Sequence, residues 1–383
     1  MTSDLLRTRP AATDAMMVVF DDTTVIRHAL AFEAALATAE AGLGLIPASA
    51  AQDIAEACRT LEIDPAALAA EATLAGTLAI PLVARLRAAL VKESAATVHY
   101  GATSQDVADT VLMLQLKAAG TLLQGDLDRT AAALAILAQR YATTPAMGRT
   151  LLQDALPISF GLRIAQWRAG IDEAANRLRV ETAAHLCLQL GGAAGSRAGL
   201  EGKGAAIAAE MAQILGLASV APWHARRNGT AAIAAALGIL IGALGKMARD
   251  VSLLSQSAIG EAREPLIGGR GGSSAMAHKR NPTACQIALS AASRSPGLVA
   301  AMLAGLPQEL ERGLGGWQAE APLLADLFLL AAGGAEAMAS VAEGLEVDEA
   351  VIARNLASAN VGSDIGESEA LVADLLAATR KAR

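Results

Sequence analysis

The densest run of functional side chains in this 383-residue sequence is Gly272-Ser273-Ser274-Ala275-Met276-Ala277-His278-Lys279-Arg280-Asn281-Pro282. A glycine run leads into two serines, then three basic side chains, then Asn-Pro. Pro282 suits the first position of a helix and Asn281 its N-cap, so the positive end of that helix would face the loop. A serine hydroxyl is a weak base in water. Lys279 and a helix N-terminus could stabilise its alkoxide, and closure of the loop would exclude water. Such a device moves a proton next to a carboxylate. A solvated basic loop that only caps a helix accounts for the same residues, so both readings stand at this point. A phosphate-cradling loop does not fit, because the glycines precede two serines and no Lys-Ser or Lys-Thr pair follows them.

Two further segments carry polar side chains at the edges of regular patterns. His99-Tyr100-Gly101-Ala102-Thr103-Ser104-Gln105-Asp106 places hydroxyls and an acid just before a long apolar-periodic stretch. There, hydroxyls and backbone N–H groups can hold a carboxylate, or simply cap the helix. Gly148-Arg149-Thr150-Leu151-Leu152-Gln153 adds a cation, a hydroxyl and an amide. Arg227 and Arg312 are further candidate cations. Of the five histidines, His28 and His185 fall in helical patterns, His278 sits solvated in the glycine-rich loop, and His224 divides evenly between site and structure. No His/carboxylate spacing suits a metal, so none is expected. Cys58, Cys187 and Cys285 fit neither a zinc site nor a disulfide framework, which favours a reducing compartment. The charged start lacks a signal-peptide core, and a cytoplasmic location is expected.

Taken together, these segments resemble the fumarase/aspartase superfamily. The first run is similar to its G-S-S-x-M-P-x-K-x-N-P loop, with Ala277 where proline is usual. Residues 99–106 resemble H-x-G-x-T-S-x-D, and residues 148–153 resemble G-x-T-H-x-Q with Leu151 in place of the histidine. The glutamate that pairs with that histidine in superfamily lyases corresponds to Gln286. This paired loss argues against adenylosuccinate lyase, argininosuccinate lyase and fumarase. Together with residues 155–161, Pro222-Trp223-His224 and residues 311–320, it resembles the cycloisomerase branch. The resemblance implies a small tricarboxylate substrate, no cofactor, and a homotetramer in which three subunits build each active site. It implies proton transfer by Ser274, with His99 as the competing candidate and Lys279 assisting. Thr103, Ser104, Arg149, Thr150, Gln153, Arg227, Ser273, Met276, Asn281 and Arg312 would bind substrate. A different lyase of the superfamily and an inactive helical scaffold stay open beside it.

The elements that must hold these segments follow from composition and periodicity. The chain is 53% hydrophobic and only 2% aromatic, which suits helices packed closely through small side chains and not a β-sandwich. A net charge of −7 gives no general attraction to nucleic acid. Short helices are expected up to residue 98, then long ones near 106–141, 156–188, 230–257, 282–303 and 317–342, with no strands. Residues 228–245 carry no charge, and a helix surrounded by helices is preferred there over a membrane span. The expected division is 1–98, a central bundle over 99–343, and a shortened helical segment over 344–383. The fold expected is all-α, in the manner of L-aspartase and fumarase. Several long helices are apolar all round, which predicts burial against other subunits.

Overall fold

Short polar caps set where the helices of this chain begin. The computed structural model describes residues 5–276 and 279–381. The N-terminal part holds α1 (Leu5–Thr8), α2 (Asp14–Val19), α3 (Asp22–Gly42), α4 (Ala48–Thr60), α5 (Pro65–Ala75), α6 (Ala79–Ala88) and α7 (Lys92–Ala95). Asp64 accepts from the Ala66 and Ala67 N–H groups and Pro65 opens α5, so the Asp-Pro break is a helix start. α5 ends where Gly76 turns left-handed at φ +72°.

The long elements follow as α8 (Ser104–Arg140), β1 (Pro145–Thr150), β2 (Gln153–Ser159), α9 (Phe160–His185), α10 (Gly204–Leu215), α11 (Asn228–Leu254), β3 (Ala262–Arg263), α12 (Thr283–Ala304), α13 (Glu320–Gly344), β4 (Glu346–Val347), α14 (Glu349–Ala359) and α15 (Ser368–Lys381). α8, α9, α11, α12 and α13 pack side by side around one apolar cluster. Their small residues permit the close approach that the lack of aromatics requires. A Cβ on Gly238 would lie 2.8 Å from Val299, and one on Gly245 would lie 2.8 Å from Ala292. A second cluster joins Phe32 and Leu36 of α3 to Val107 and Val111 of α8 and Ile207 and Met211 of α10.

Alternation of direction gives the bundle two functionally different ends. The first end holds the starts of α8, α11 and α13 and the finishes of α9 and α12. The second end holds the reverse set, with the β1–β2 hairpin and the β3–β4 pair. α11, α12 and the run Trp317–Gly344 are long and apolar enough to cross a membrane by length and composition. Within the bundle α11 buries 61% of its apolar window and α12 only 22%, so α12 turns a broad apolar face outward.

The structure departs from the sequence expectation in two places. No strand was expected, yet β1 and β2 form an antiparallel hairpin and α9 starts at Phe160, not near 156. Leu156 precedes Pro157, which biases it toward extended backbone, and Ser159 then caps the helix by accepting from the Leu162 N–H at 3.0 Å. α12 starts one residue later than expected, with Pro282 itself at the N-cap position. Its N-terminus is closed by the buried Glu264 carboxylate, which accepts from the Ala284 and Cys285 N–H groups at 3.1 and 2.7 Å.

One ion cluster ties three helices at the first end. Arg227, at the N-cap of α11, donates to both carboxylate oxygens of Asp109 on α8 at 2.9 and 2.8 Å. It donates to both oxygens of Glu320 on α13 at 2.8 and 2.6 Å, and stacks 4.6 Å above the Trp223 ring. All three charged residues are buried. Removing the cation alone strands two buried carboxylates. Arg227→Met is therefore expected to cost about 3–5 kcal/mol, read as a fall in urea midpoint at fixed protein concentration. Replacing all three residues with apolar ones recovers most of that loss. A single-variant loss below about 1 kcal/mol shows the charges to be uncoupled.

Candidate active site

The first segment is organised by one carboxylate. Asp106, fully buried, accepts from the Thr103 N–H at 3.0 Å, the Gly191 N–H at 2.8 Å and the Gly192 N–H at 3.0 Å. Its Oδ1 also meets His224 Nε2 at 2.7 Å. Four contacts thus lock the 99–106 segment, the glycine-rich 191–195 stretch and the 222–224 turn together. Glycine is required at 191, where a Cβ would lie 2.7 Å from the His224 ring, and at 192, where φ is +69° and a Cβ would lie 2.7 Å from the Gly101 carbonyl. His224 is 3% exposed and serves this knot.

Arg312 reaches the same segment from the 305–319 connection. It donates to Thr103 Oγ1 at 3.1 Å and to the carbonyls of Gly192 and Ala193 at 3.2 and 3.0 Å. These acceptors are neutral, so its charge is not cancelled locally. Ser104 opens α8 beside it, half-buried. His99 adopts φ +62°, a left-handed backbone that non-glycine residues rarely take, and its Nδ1 lies 2.6 Å from Glu33 Oε1. Burial works against charge on His99, but the Glu33 hydrogen bond and the Glu33 and Asp106 charges outweigh it and hold the pKa above its ordinary value.

The second segment is the hairpin. Thr150 and Gln153 face each other across its tip, and Leu151 and Leu152 form the turn at φ +51° and +63°. Two successive left-handed residues match the twist of a two-residue hairpin turn. Both leucines are exposed, at 95% and 76%. Arg149 donates to both oxygens of Glu261, at 3.0 and 2.6 Å, and lies 3.3 Å from Asp154. Glu261 also accepts from Asn355 at 2.9 Å. Beside the hairpin a cavity of about 980 Å³ is lined by Arg149, Arg163, Trp167, Lys246, Arg249 and apolar neighbours.

The third segment is the 268–281 loop. Asn281 closes its base: its N–H donates to the Gly271 carbonyl at 2.8 Å and its Nδ2 to the Gly272 carbonyl at 3.1 Å. Ser273 Oγ accepts from the Ala275 and Met276 N–H groups at 3.3 and 3.1 Å, a local turn that presents Ser274. Ser274, Met276 and Lys279 are exposed. His278, expected to be solvated, and Ala277 lie outside the described residues.

Several expectations change. Arg227 is not a free substrate cation, because Asp109 and Glu320 engage it completely within the bundle. Arg149 is likewise neutralised by Glu261, which leaves Arg312 and Lys279 of the four cations expected from the motifs. The N-terminus of α12 faces Glu264, not the serine loop. Asp106, Glu33, Glu261 and Glu264 were given no role from sequence. Only Asp106 had a signal, its place inside the first motif.

The three segments do not meet within one chain. His99, Thr103, Ser104 and Arg312 lie at the first end of the bundle, and Thr150, Gln153, Ser273, Ser274, Lys279 and Asn281 at the second. α12, the shortest of the five long helices, has 22 residues, a separation of roughly 33 Å at 1.5 Å per residue. Among the described residues no group of three or more His, Cys, Asp or Glu side chains could hold a metal ion.

Comparison with known proteins gives a consistent set of likenesses. A family model described as Lyase matches residues 8–297. A 3-carboxy-cis,cis-muconate cycloisomerase of Bradyrhizobium diazoefficiens is 48% identical over 346 residues, covering 89% of this chain and 77% of that protein. One of Pseudomonas aeruginosa is 46% identical, with coverages of 89% and 75%. Among solved structures, the 3-carboxy-cis,cis-muconate lactonizing enzyme of Pseudomonas putida aligns with a TM-score of 0.91 at 34% identity, covering 99% of this chain and 100% of that one.

Asp106→Asn tests the knot. The amide keeps the shape but has one acceptor oxygen and turns a donor toward donors. The expected cost is about 1–3 kcal/mol of stability for each N–H left unsatisfied. Hydrogen exchange at Gly191 and Gly192 should accelerate together. Unchanged exchange at both amides removes Asp106 from this role.

Proposed function

This chain belongs to the lyase family of the fumarase/aspartase superfamily, and from that premise we propose that it is a 3-carboxy-cis,cis-muconate cycloisomerase. One substrate carboxylate adds across the adjacent double bond to close a γ-lactone, and a proton is added to the carbon beside another carboxylate. The reverse direction is a β-elimination through an enolate-like intermediate. The site must hold three negative charges and stabilise one of them as it moves from the attacking carboxylate onto the enolate-like carboxylate, which preorganised donors and cations do best.

The observation that carries this reading is the hairpin tip. Where histidine-bearing lyases of the superfamily present an imidazole, this chain presents Leu151, exposed and left-handed. Proton transfer therefore falls to groups elsewhere. Ser274 moves the proton and His99 is the competing group. Lys279 and Arg312 supply charge. Thr103, Ser104, Thr150, Gln153, Ser273 and Asn281 orient carboxylates, and Met276 packs beside them.

The working enzyme is a homotetramer with shared active sites. Three features support this: the separation of the segments along the bundle, the outward apolar face of α12, and the exposed leucines of the hairpin tip. An antiparallel copy alongside brings the first end of one chain to the second end of another. A cytoplasmic location suits the three unpaired cysteines.

Purified protein is expected to consume 3-carboxy-cis,cis-muconate, read as ultraviolet loss of the diene, and to leave adenylosuccinate untouched. Product from adenylosuccinate instead would make it another lyase of the superfamily. Ser274→Ala should lower turnover by ~10²–10⁴-fold; near-normal turnover excludes Ser274 from the chemistry. For the shared site, Ser274→Ala and Thr103→Val preparations are each expected to be weak and to regain activity when mixed, dissociated and reassembled. No recovery from a reassembled mixture argues for sites within single chains.

A further inference from the structure

Behind His99 lies a buried acidic layer that the reaction as described leaves unused. Glu33 of α3 is 1% exposed. Its Oε1 meets His99 Nδ1 at 2.6 Å, and its Oε2 is buried with no hydrogen-bond partner. Glu40, two turns further along the same face of α3, is fully buried, and neither of its oxygens has a partner. The other titratable and charged groups acting on this layer are the Cys58 thiol of α4, Arg87 of α6 and Asp106 of α8.

A buried carboxylate persists when it is paired or when it keeps its proton. Glu40 takes the second course: burial, then the charge of Glu33, pushes it up to about 8. Glu33 takes the first, and among the described residues the His99 imidazole is its only hydrogen-bonding partner. The left-handed backbone of His99 is a second sign of constraint, since such strain survives only where the surroundings over-determine it. An Nδ1–H held by Glu33 fixes the plane of the ring and leaves Nε2 as the exchanging nitrogen.

We propose that Glu33 is the positioning residue of His99, holding its ring in place and keeping it in the imidazolium form at the active site. This rests on the cycloisomerase reading for its chemistry. In lactone formation one proton moves from protein to the substrate carbon. The His99 imidazolium supplies it, directly or by reprotonating Ser274 Oγ, and is left neutral; the reverse reaction returns the proton. Glu33 itself never touches substrate.

The test uses the full-length assembled protein with histidine labelled in ¹⁵N, the His99 signals being assigned by their absence from His99→Asn. In Glu33→Gln the His99 titration is expected to fall by roughly one to two pH units. Turnover should drop ~10–100-fold with KM nearly unchanged, and the alkaline limb of the turnover profile should move to lower pH, because activity needs the imidazolium. Glu33→Asp should restore part of both. An unmoved His99 titration in folded Glu33→Gln overturns the proposal. If Glu33→Gln does not fold, the same titration in Glu33→Asp decides it, again by whether it shifts. The titration needs no substrate, so a wild-type protein inactive on carboxymuconate would sink the cycloisomerase reading while leaving the Glu33–His99 link to be judged separately.

Discussion

A straight α-helix is a rod, and what sits at its two ends cannot meet. α8 has 37 residues, roughly 55 Å at 1.5 Å per residue. The other bundle helices run alongside it, so every connection is confined to one end or the other. That rigidity places the functional segments more firmly than any contact within them. It also keeps the motif segments apart within one chain, since the hydroxyls and cations proposed to share one polyanion lie a helix length apart. In the proposed tetramer, a copy in antiparallel register would supply the missing half without bending anything. The apolar face of α12 and the leucine-tipped hairpin give such copies something to bury.

Stiffness is distributed unevenly around that frame. Five of the buried acids act as staples. Asp106 gathers three loop segments, Arg227 is clamped between Asp109 and Glu320, Glu261 holds the hairpin arginine and Asn355, and Glu264 closes α12. Each joins groups far apart in sequence. The serine loop is different. Its base is pinned by Asn281, but Ser274, Met276 and Lys279 stand exposed beyond the pin. A firm base under an exposed tip is what a loop needs if it is to close over a ligand bound by a neighbouring chain.

The sequence shows the frame more readily than the staples. Long apolar stretches broken by glycine clusters locate all five bundle helices to within a few residues. The hairpin escapes notice because its strands are short and carry Pro157 and two leucines at the turn, a position where asparagine and glycine are the usual markers. Arg227 looks like a substrate cation from its matched neighbourhood, but its partners Asp109 and Glu320 are 118 and 93 residues away and nothing local announces them. Glu33 precedes His99 by 66 residues and lies in an ordinary helix, so no spacing rule links the two. Motifs identify polar residues worth attention, whereas the partner each one faces is a property of packing.

The balance of charge ties these observations to the chemistry. Four arginines and lysines could be gathered around a tricarboxylate from their motifs, but two are neutralised by their own chain. Arg312, whose hydrogen bonds go to neutral oxygens, and the exposed Lys279 remain. These two motif cations alone do not match three carboxylates, and a buried or half-buried anion left unmatched is costly. On the reading proposed above, a protonated His99 adds positive charge where the proton is delivered. An imidazole surrounded by apolar packing would lose its proton too easily for that part, and the Glu33 carboxyl at hydrogen-bond distance opposes this. On that reading, the acid behind the histidine secures positive charge near the reacting carbon, a part that Arg227, clamped within the bundle, does not play.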